Sequence, residues 1–428
     1  MMIEKLIEIL KASAADDWQI TDTETEGWEF YFIAHKLDQN RVKNTDHVNL
    51  TVYKRSEDGQ FIGSASAEVK QGSSEEEMKK LVDSLCERAQ LVRNRNYELH
   101  AFREAEPFEN RPASVAETAA DYISMMEEIR ETSTEDINSH EIFVSKKDER
   151  LITSTGIDIH QSFMTSMMEA VINARDEDHE IELYRMYRSG TCDKEQITKD
   201  IYETMRCGHD RLNAKKTPNL VKCPAVFRGE SALTLASYFL DKIDAAFVYR
   251  GMSGWKKGEP YARDIKGDRV TLKALRYLEN SPSNRVYDAE GAPVRDLTLI
   301  EDGVVRDYTG NRMFSSYIGN EDSFIVTNWE VSGGTMSEEE IRCGSYLEAA
   351  EFSDFQADAL TGDFFGEIRL AWYHDGNKVT PVSGGSVSGN LNELVKEMRM
   401  SREMNTQGSA RVPVLIRLEG VTVTGSED

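Results

Sequence analysis

Apolar residues recur at helical spacing at the start of the chain, where Ile3, Leu6, Ile7 and Leu10 are separated by charges. That period predicts an amphipathic helix. The pattern then changes to runs rich in β-branched and aromatic residues, at 28–34 (Trp-Glu-Phe-Tyr-Phe-Ile-Ala), 48–53 and 61–69. Runs of this kind predict strands. Asp58-Gly59, between the last two, is a hairpin signal because both residues tolerate positive φ. Ser74 and Glu77 stand at capping-box spacing ahead of Met78, Leu81, Val82 and Leu85, which predicts a helix. Together these elements define a small N-terminal α/β domain over residues 1–94. A connection over about 95–113 follows, marked by Pro107 and Pro112.

Residues 114–215 form a helical/mixed middle domain. Ser114 and Glu117 repeat the capping-box spacing before Ala120, Ile123, Met126 and Ile129, and Asp193 is placed to cap a helix carrying Ile197, Ile201 and Met205. Between them, 142–145 and the alternating 181–187 predict strands. From 221 to 428 strand signals dominate and predict a large β-rich C-terminal domain with a mixed sheet. Hairpins are expected through Asp302-Gly303 and Asp375-Gly376, with alternating strands at 412–418 and 421–423. Two helices interrupt this region, at about 230–243 and 391–398. The fold class is α+β.

Composition narrows the function. The 428 residues carry 76 acidic against 51 basic side chains, a formal net charge of −25. Nucleic-acid affinity comes largely from Lys and Arg displacing counterions, so a nucleic-acid partner is not expected. No stretch approaches the ~20 apolar residues of a membrane span. The charged opening, Met1-Met2-Ile3-Glu4-Lys5, lacks the continuous apolar run of a secretory signal. Five widely spaced cysteines (Cys86, Cys192, Cys207, Cys223, Cys343) fit reduced thiols. The expectation is a cytoplasmic protein with no membrane partner.

Two His-Glu pairs, His140-Glu141 and His179-Glu180, are the first candidates for chemistry. Zinc hydrolysis on a helix needs a second imidazole one turn later, so that both reach one metal while the Glu activates its water. Four and five residues on from His140 are Val144 and Ser145; from His179 they are Leu183 and Tyr184. Both histidines therefore read as surface or structural. Cys192, Cys207, His209 and Cys223 lack any Cys-x-x-Cys pair and read as buried thiols. Gly251-Met-Ser253-Gly254 and Gly384-Gly-Ser386-Val-Ser388-Gly389 are not Gly-x-Ser-x-Gly elbows and read as turns. The acidic run 176–180 reads as a solvated surface. There is no Walker loop and no dinucleotide fingerprint.

Five short stretches occur in order: Tyr287-Asp-Ala-Glu-Gly-Ala-Pro-Val, Leu299-Ile-Glu-Asp-Gly-Val-Val, Thr309-Gly-Asn311, Leu360-Thr-Gly-Asp-Phe364 and 381–391 (Pro-Val-Ser-Gly-Gly-Ser-Val-Ser-Gly-Asn-Leu). Together they resemble the TldD/PmbA family, the modulators of DNA gyrase or TldD/TldE peptidases. In that family the active TldD-type subunit resembles a zinc peptidase with His-Glu-x-x-x-His on a helix near the start of the C-terminal domain, and a later cysteine ligand. The matching place here, 224–227 followed by a helix at 230–240, contains no histidine, and no cysteine follows Cys343.

Carried over residue by residue, the resemblance assigns no catalytic residue, no metal ligand and no cofactor, and it leaves substrate-binding residues unassigned. It implies a TldE (PmbA)-like subunit that lacks the zinc motif. Such a subunit works in a dimeric chamber on unfolded peptides, with a TldD-like zinc peptidase as partner (heterodimer) or with itself (homodimer). Two other readings stay open: an independent hydrolase using Cys207-His209 or the loop at 383–389, and a homodimeric peptide-binding protein.

Overall fold

The computed structural model describes residues 2–108 and 113–426. Met1, Pro112 and the last two residues of the expected C-terminal domain lie outside the described residues. The first half contains α1 (Met2–Ala12), β1 (Asp17–Ile33), β2 (Lys36–Arg55), β3 (Phe61–Val69), α2 (Glu75–Gln90), β4 (Asn94–Arg95), α3 (Val115–Glu127), β5 (Glu135–Thr153), β6 (Asp158–Arg175), β7 (Glu180–Ser189) and α4 (Lys194–Leu212). Ser74 makes the full reciprocal capping box with Glu77 at the start of α2. Ser114 caps α3 through the Glu117 N–H, and Asp193 caps α4 through the Gln196 N–H.

The seven strands form one sheet in the order β4-β3-β2-β1-β5-β6-β7. Segments 1–94 and 114–215 are thus joined through the antiparallel pairing of β1 with β5, from Gln19↔Thr153 to Ile33↔Ser139. The strands are longer than the sequence predicts. β2 begins at Lys36 in a polar, exposed stretch held extended by β1, so pairing and not its own apolar pattern sets its length. The β1–β2 turn is Ala34-His35, with φ of 44° and 61°. Both central residues of such a turn need positive φ, which usually calls for Gly or Asn. β6 is a further strand with no counterpart among the expected elements.

One face of this sheet is covered by helices. α1 and α2 pack on Trp18, Ile20, Val48, Leu50 and Val52. α3 and α4 pack on Phe32, Ile142, Val144, Met168 and Ile172. Each fully buried side chain of this size contributes ~1.5–3 kcal/mol.

The second half runs β8 (Lys215–Lys216), β9 (Leu220–Arg228), α5 (Gly229–Lys242), α6 (Ala245–Tyr249), β10 (Thr271–Leu275), β11 (Leu297–Glu301), β12 (Val304–Val305), α7 (Arg312–Tyr317), β13 (Asn328–Ser332), α8 (Glu338–Ile341), β14 (Tyr346–Ala357), β15 (Asp363–His374), β16 (Val379–Ser383), β17 (Ser386–Asn390), α9 (Leu391–Leu394), β18 (Arg399–Met400), β19 (Met404–Gln407), β20 (Ala410–Pro413) and β21 (Leu415–Thr424). The pairings β9–β21, β21–β17, β17–β15, β15–β14 and β14–β9 make a closed circuit, parallel only at the last. Phe227, Phe355 and Phe364, from three of these strands, meet with ring centroids 5.5–6.0 Å apart. A second, mixed sheet has the order β12-β11-β10-β13-β20-β19.

All three expected Asp-Gly hairpins form, β2–β3, β11–β12 and β15–β16. The helix expected over 391–398 stops at Leu394. Beyond it, the Lys396 and Met398 carbonyls accept hydrogen bonds from the N–H groups of residues 266–268, which pull the chain out of helical geometry. No helix among the described residues is long and apolar enough to cross a membrane.

Candidate functional site

Helix α5 leaves the end of β9, at the place where the resemblance puts a zinc helix. Its inward positions are Ser231, Ala232, Leu235, Ala236, Tyr238, Phe239 and Lys242. None is an imidazole or a thiol, and the one carboxylate of the first turn, Glu230, is exposed. The Ser231 hydroxyl donates back to the Arg228 carbonyl at 2.8 Å, and Ser237 does the same to Thr234 at 2.9 Å. A zinc ion needs three or four convergent nitrogen, sulfur or carboxylate donors. This donor set does not fit one. Among the described residues there is no group of three or more His, Cys, Asp or Glu side chains that could hold a metal.

Charges at the mouth of this helix are paired instead. Arg228, the residue before α5, forms ion pairs with Glu203 of α4 and, at 3.8 Å, with Glu348 of β14. Glu348 is only 4% exposed and takes a two-pronged hydrogen bond from Arg342, at 2.8 and 2.9 Å. Arg228 and Arg206 also lie over the Trp372 ring, whose Nε1 donates to Asp210 at 2.8 Å. Nearby, Arg185 of β7 clasps Glu351 of β14. This belt joins α4 and β7 to the closed barrel. Its partners lie up to 166 residues apart in sequence, so no spacing signal announces them.

At the far end of α5, the Lys242 ammonium is buried beside the Tyr238 ring and 3.5 Å from the Leu360 carbonyl. Burial holds its pKa below the ordinary lysine value. The Tyr238 hydroxyl donates to Asn392 at 2.7 Å, and Asn392 donates to the Thr361 carbonyl. These contacts fix the 358–363 turn onto the helix, one of the stretches quoted for the resemblance.

The other sequence candidates are dispersed. His140 sits on β5, 2% exposed and stacked on Phe32 with centroids 4.4 Å apart. Burial, with His35 adding to it, drives its pKa down to about 4, so it is neutral near pH 7. His179 is exposed in a turn whose N–H groups are held by Asp176. Cys192, Cys207 and Cys223 belong to different parts of the core. Burial pushes Cys192 and Cys207 up to about 12 and raises Cys223 too, so these thiols stay protonated and are poor nucleophiles. His209 is exposed, 3.9 Å from Glu135. Among the described residues no histidine is hydrogen-bonded to Ser253, Ser386 or Ser388. Gly384 and Gly385 form a tight positive-φ turn, and a Cβ on Gly385 would meet the Thr424 carbonyl at 2.1 Å.

Residues 221–425 match the family described as the PmbA/TldA metallopeptidase C-terminal domain. This C-terminal domain belongs to the TldD/PmbA family. It is 24% identical over 191 residues to Metalloprotease PmbA of Escherichia coli O157:H7, covering 43% of this chain and 41% of that protein. The match thus spans about two fifths of that relative's length. Likeness of fold extends over the whole chain. The crystal structure of TldE from Thermococcus kodakarensis superposes with a TM-score of 0.79 at 16% identity, covering 99% of this chain and 100% of that one. A Thermotoga maritima protein, provisionally assigned as a modulator of a DNA gyrase, gives 0.77 at 17% identity, with 98% of each chain covered.

Proposed function

We propose that this chain is a TldE-like, metal-free subunit that works with a TldD-like zinc peptidase, completing a dimeric chamber in which unfolded peptides are processed. One observation carries the reading: α5 follows β9 where the resemblance puts a zinc helix, yet its inward face is Ser, Ala, Leu, Tyr, Phe and Lys. The ion-paired belt beside it supports a structural role for that end of the helix. An independent hydrolase is disfavoured by the buried, protonated thiols and by serines without a histidine partner.

Co-purification with a TldD-type subunit, followed by a peptide-cleavage assay, tests the proposal. The expected result is a stoichiometric complex with cleavage that depends on the partner's zinc. Cleavage by this chain alone, or no complex and no change in the partner's cleavage, would overturn it.

A further inference from the structure

The seven-stranded sheet has a second face, opposite the helices. Side chains alternate along a strand, so the neighbours of buried His140, Ile142 and Val144 point the other way. Register brings them into rows. Tyr31, Glu141, Glu169 and Met186 lie side by side across β1, β5, β6 and β7, and Glu29, Phe143, Met167 and Arg188 form the next row. Tyr31 and Phe143 make an edge-to-face pair with centroids 5.7 Å apart. Met186 is 41% exposed, and Tyr184 on the same edge strand is 49% exposed.

Charge decides what can cover this surface. Glu141 and Glu169 are directly opposed on neighbouring strands, an arrangement that is unfavourable for like charges. Among the described residues neither forms an ion pair, whereas Glu29 in the adjoining row is paired with Arg41 at 3.1 Å. Burial and the neighbouring Glu169 raise the Glu141 pKa, and burial with Glu169 pushes the Tyr184 phenol up to about 12. Glu169 takes a hydrogen bond from the Tyr184 hydroxyl, but an apolar cover would strip water from both carboxylates with no ion pair to offset the loss. A second copy of the chain laid face to face would bring the same two carboxylates against them. A cation set between apolar side chains satisfies both needs.

We infer that the face around Glu141, Glu169, Tyr31 and Phe143 binds an extended peptide segment in which Lys or Arg stands next to aliphatic or aromatic residues. This deepens the proposed function by naming a substrate class, and it rests on that reading. Its peptide-binding measurement uses the full chain without any partner subunit, so the two can fail separately.

Fluorescence anisotropy would compare a labelled, unstructured peptide of Lys, Leu, Ser and Gly with a twin carrying Glu for Lys. The double variant Glu141→Gln/Glu169→Gln is expected to weaken the Lys peptide at least about tenfold. The control Glu76→Gln/Glu87→Gln, with the same charge change on α2, should leave affinity unchanged. Equal affinity for the two peptides, or equal losses in both double variants, overturns the inference. So does a face variant that blocks capture of the partner subunit while peptide binding persists, which would make the face a subunit contact. Photo-crosslinking of the Lys peptide to the unaltered chain is the second readout, independent of any variant's folding. Adducts on β1, β5, β6 or β7 support the inference, and adducts confined elsewhere reject it.

Discussion

The closed barrel of β9, β14, β15, β17 and β21 and the seven-stranded sheet solve the same problem in opposite ways. The barrel joins its edges and fills its centre with Phe227, Phe355 and Phe364. The sheet keeps two edges and covers one face only, leaving Tyr31, Phe143 and Met167 partly in water. Charges follow the same division. Beside the barrel, Glu348 is buried and doubly paired; on the open face, Glu141 and Glu169 confront each other unpaired. Aromatic residues and carboxylates in the first setting hold the fold together. In the second they cost stability and stay available for binding.

Substitutions can break this contrast. The largest effect is expected from Phe227→Ala, which opens a cavity among three aromatic rings and should cost ~3–5 kcal/mol in chemical denaturation. A loss under ~1 kcal/mol would show that the barrel centre is loosely packed. Glu348→Ala comes next: it leaves Arg342 with Glu338 alone and Arg228 with Glu203 alone, and should cost about 1.5–3 kcal/mol by the same measurement. Phe143→Ala, on the open face, should cost less than about 1 kcal/mol while weakening peptide binding. A loss as large as that of Phe227→Ala would erase the distinction between the two regions.

A titratable group at the seam between the regions gives a subtler check. Glu290, buried near Tyr53 of β2, has its pKa raised from 4.5 to about 7, first by burial and then less by Asp288, against the Arg312 N–H that its carboxylate accepts. A carboxyl that binds its proton more tightly when folded stabilises the fold at low pH. That contribution is present below pH 4.5 and is lost as pH rises through about 7. Melting temperature measured at pH 5 and pH 8 should therefore fall less in Glu290→Gln than in the unaltered chain. Equal falls would show that Glu290 is solvated.

Much of the fold was legible where one residue type does one local job. Ser74 and Glu77 announced α2, and Asp302-Gly303 and Asp375-Gly376 announced their hairpins. The α+β class and the β-rich second half followed from period and composition. Three things escaped for physical reasons. The Ala34-His35 turn carries no glycine or asparagine, so its positive φ values are imposed by the paired strands. The polar start of β2 is extended because β1 holds it there. The belt around Arg228, Glu203 and Glu348 and the facing pair Glu141/Glu169 depend on pairing register, which a linear pattern does not contain. The helix expected at 230–240 after a strand is present as α5 after β9, because its apolar period is local to the sequence.

The pairing of β1 with β5 bears on how the chain is made. A ribosome delivers Asp17–Ile33 more than a hundred residues before Glu135–Thr153, so one edge of β1 waits open while α1, β2, β3 and α2 assemble on its other side. Pairings of such long range are slow to form, because the loop between them must first be ordered. The waiting edge is a template for any other nascent strand. Synthesis past β5 is the step that closes it.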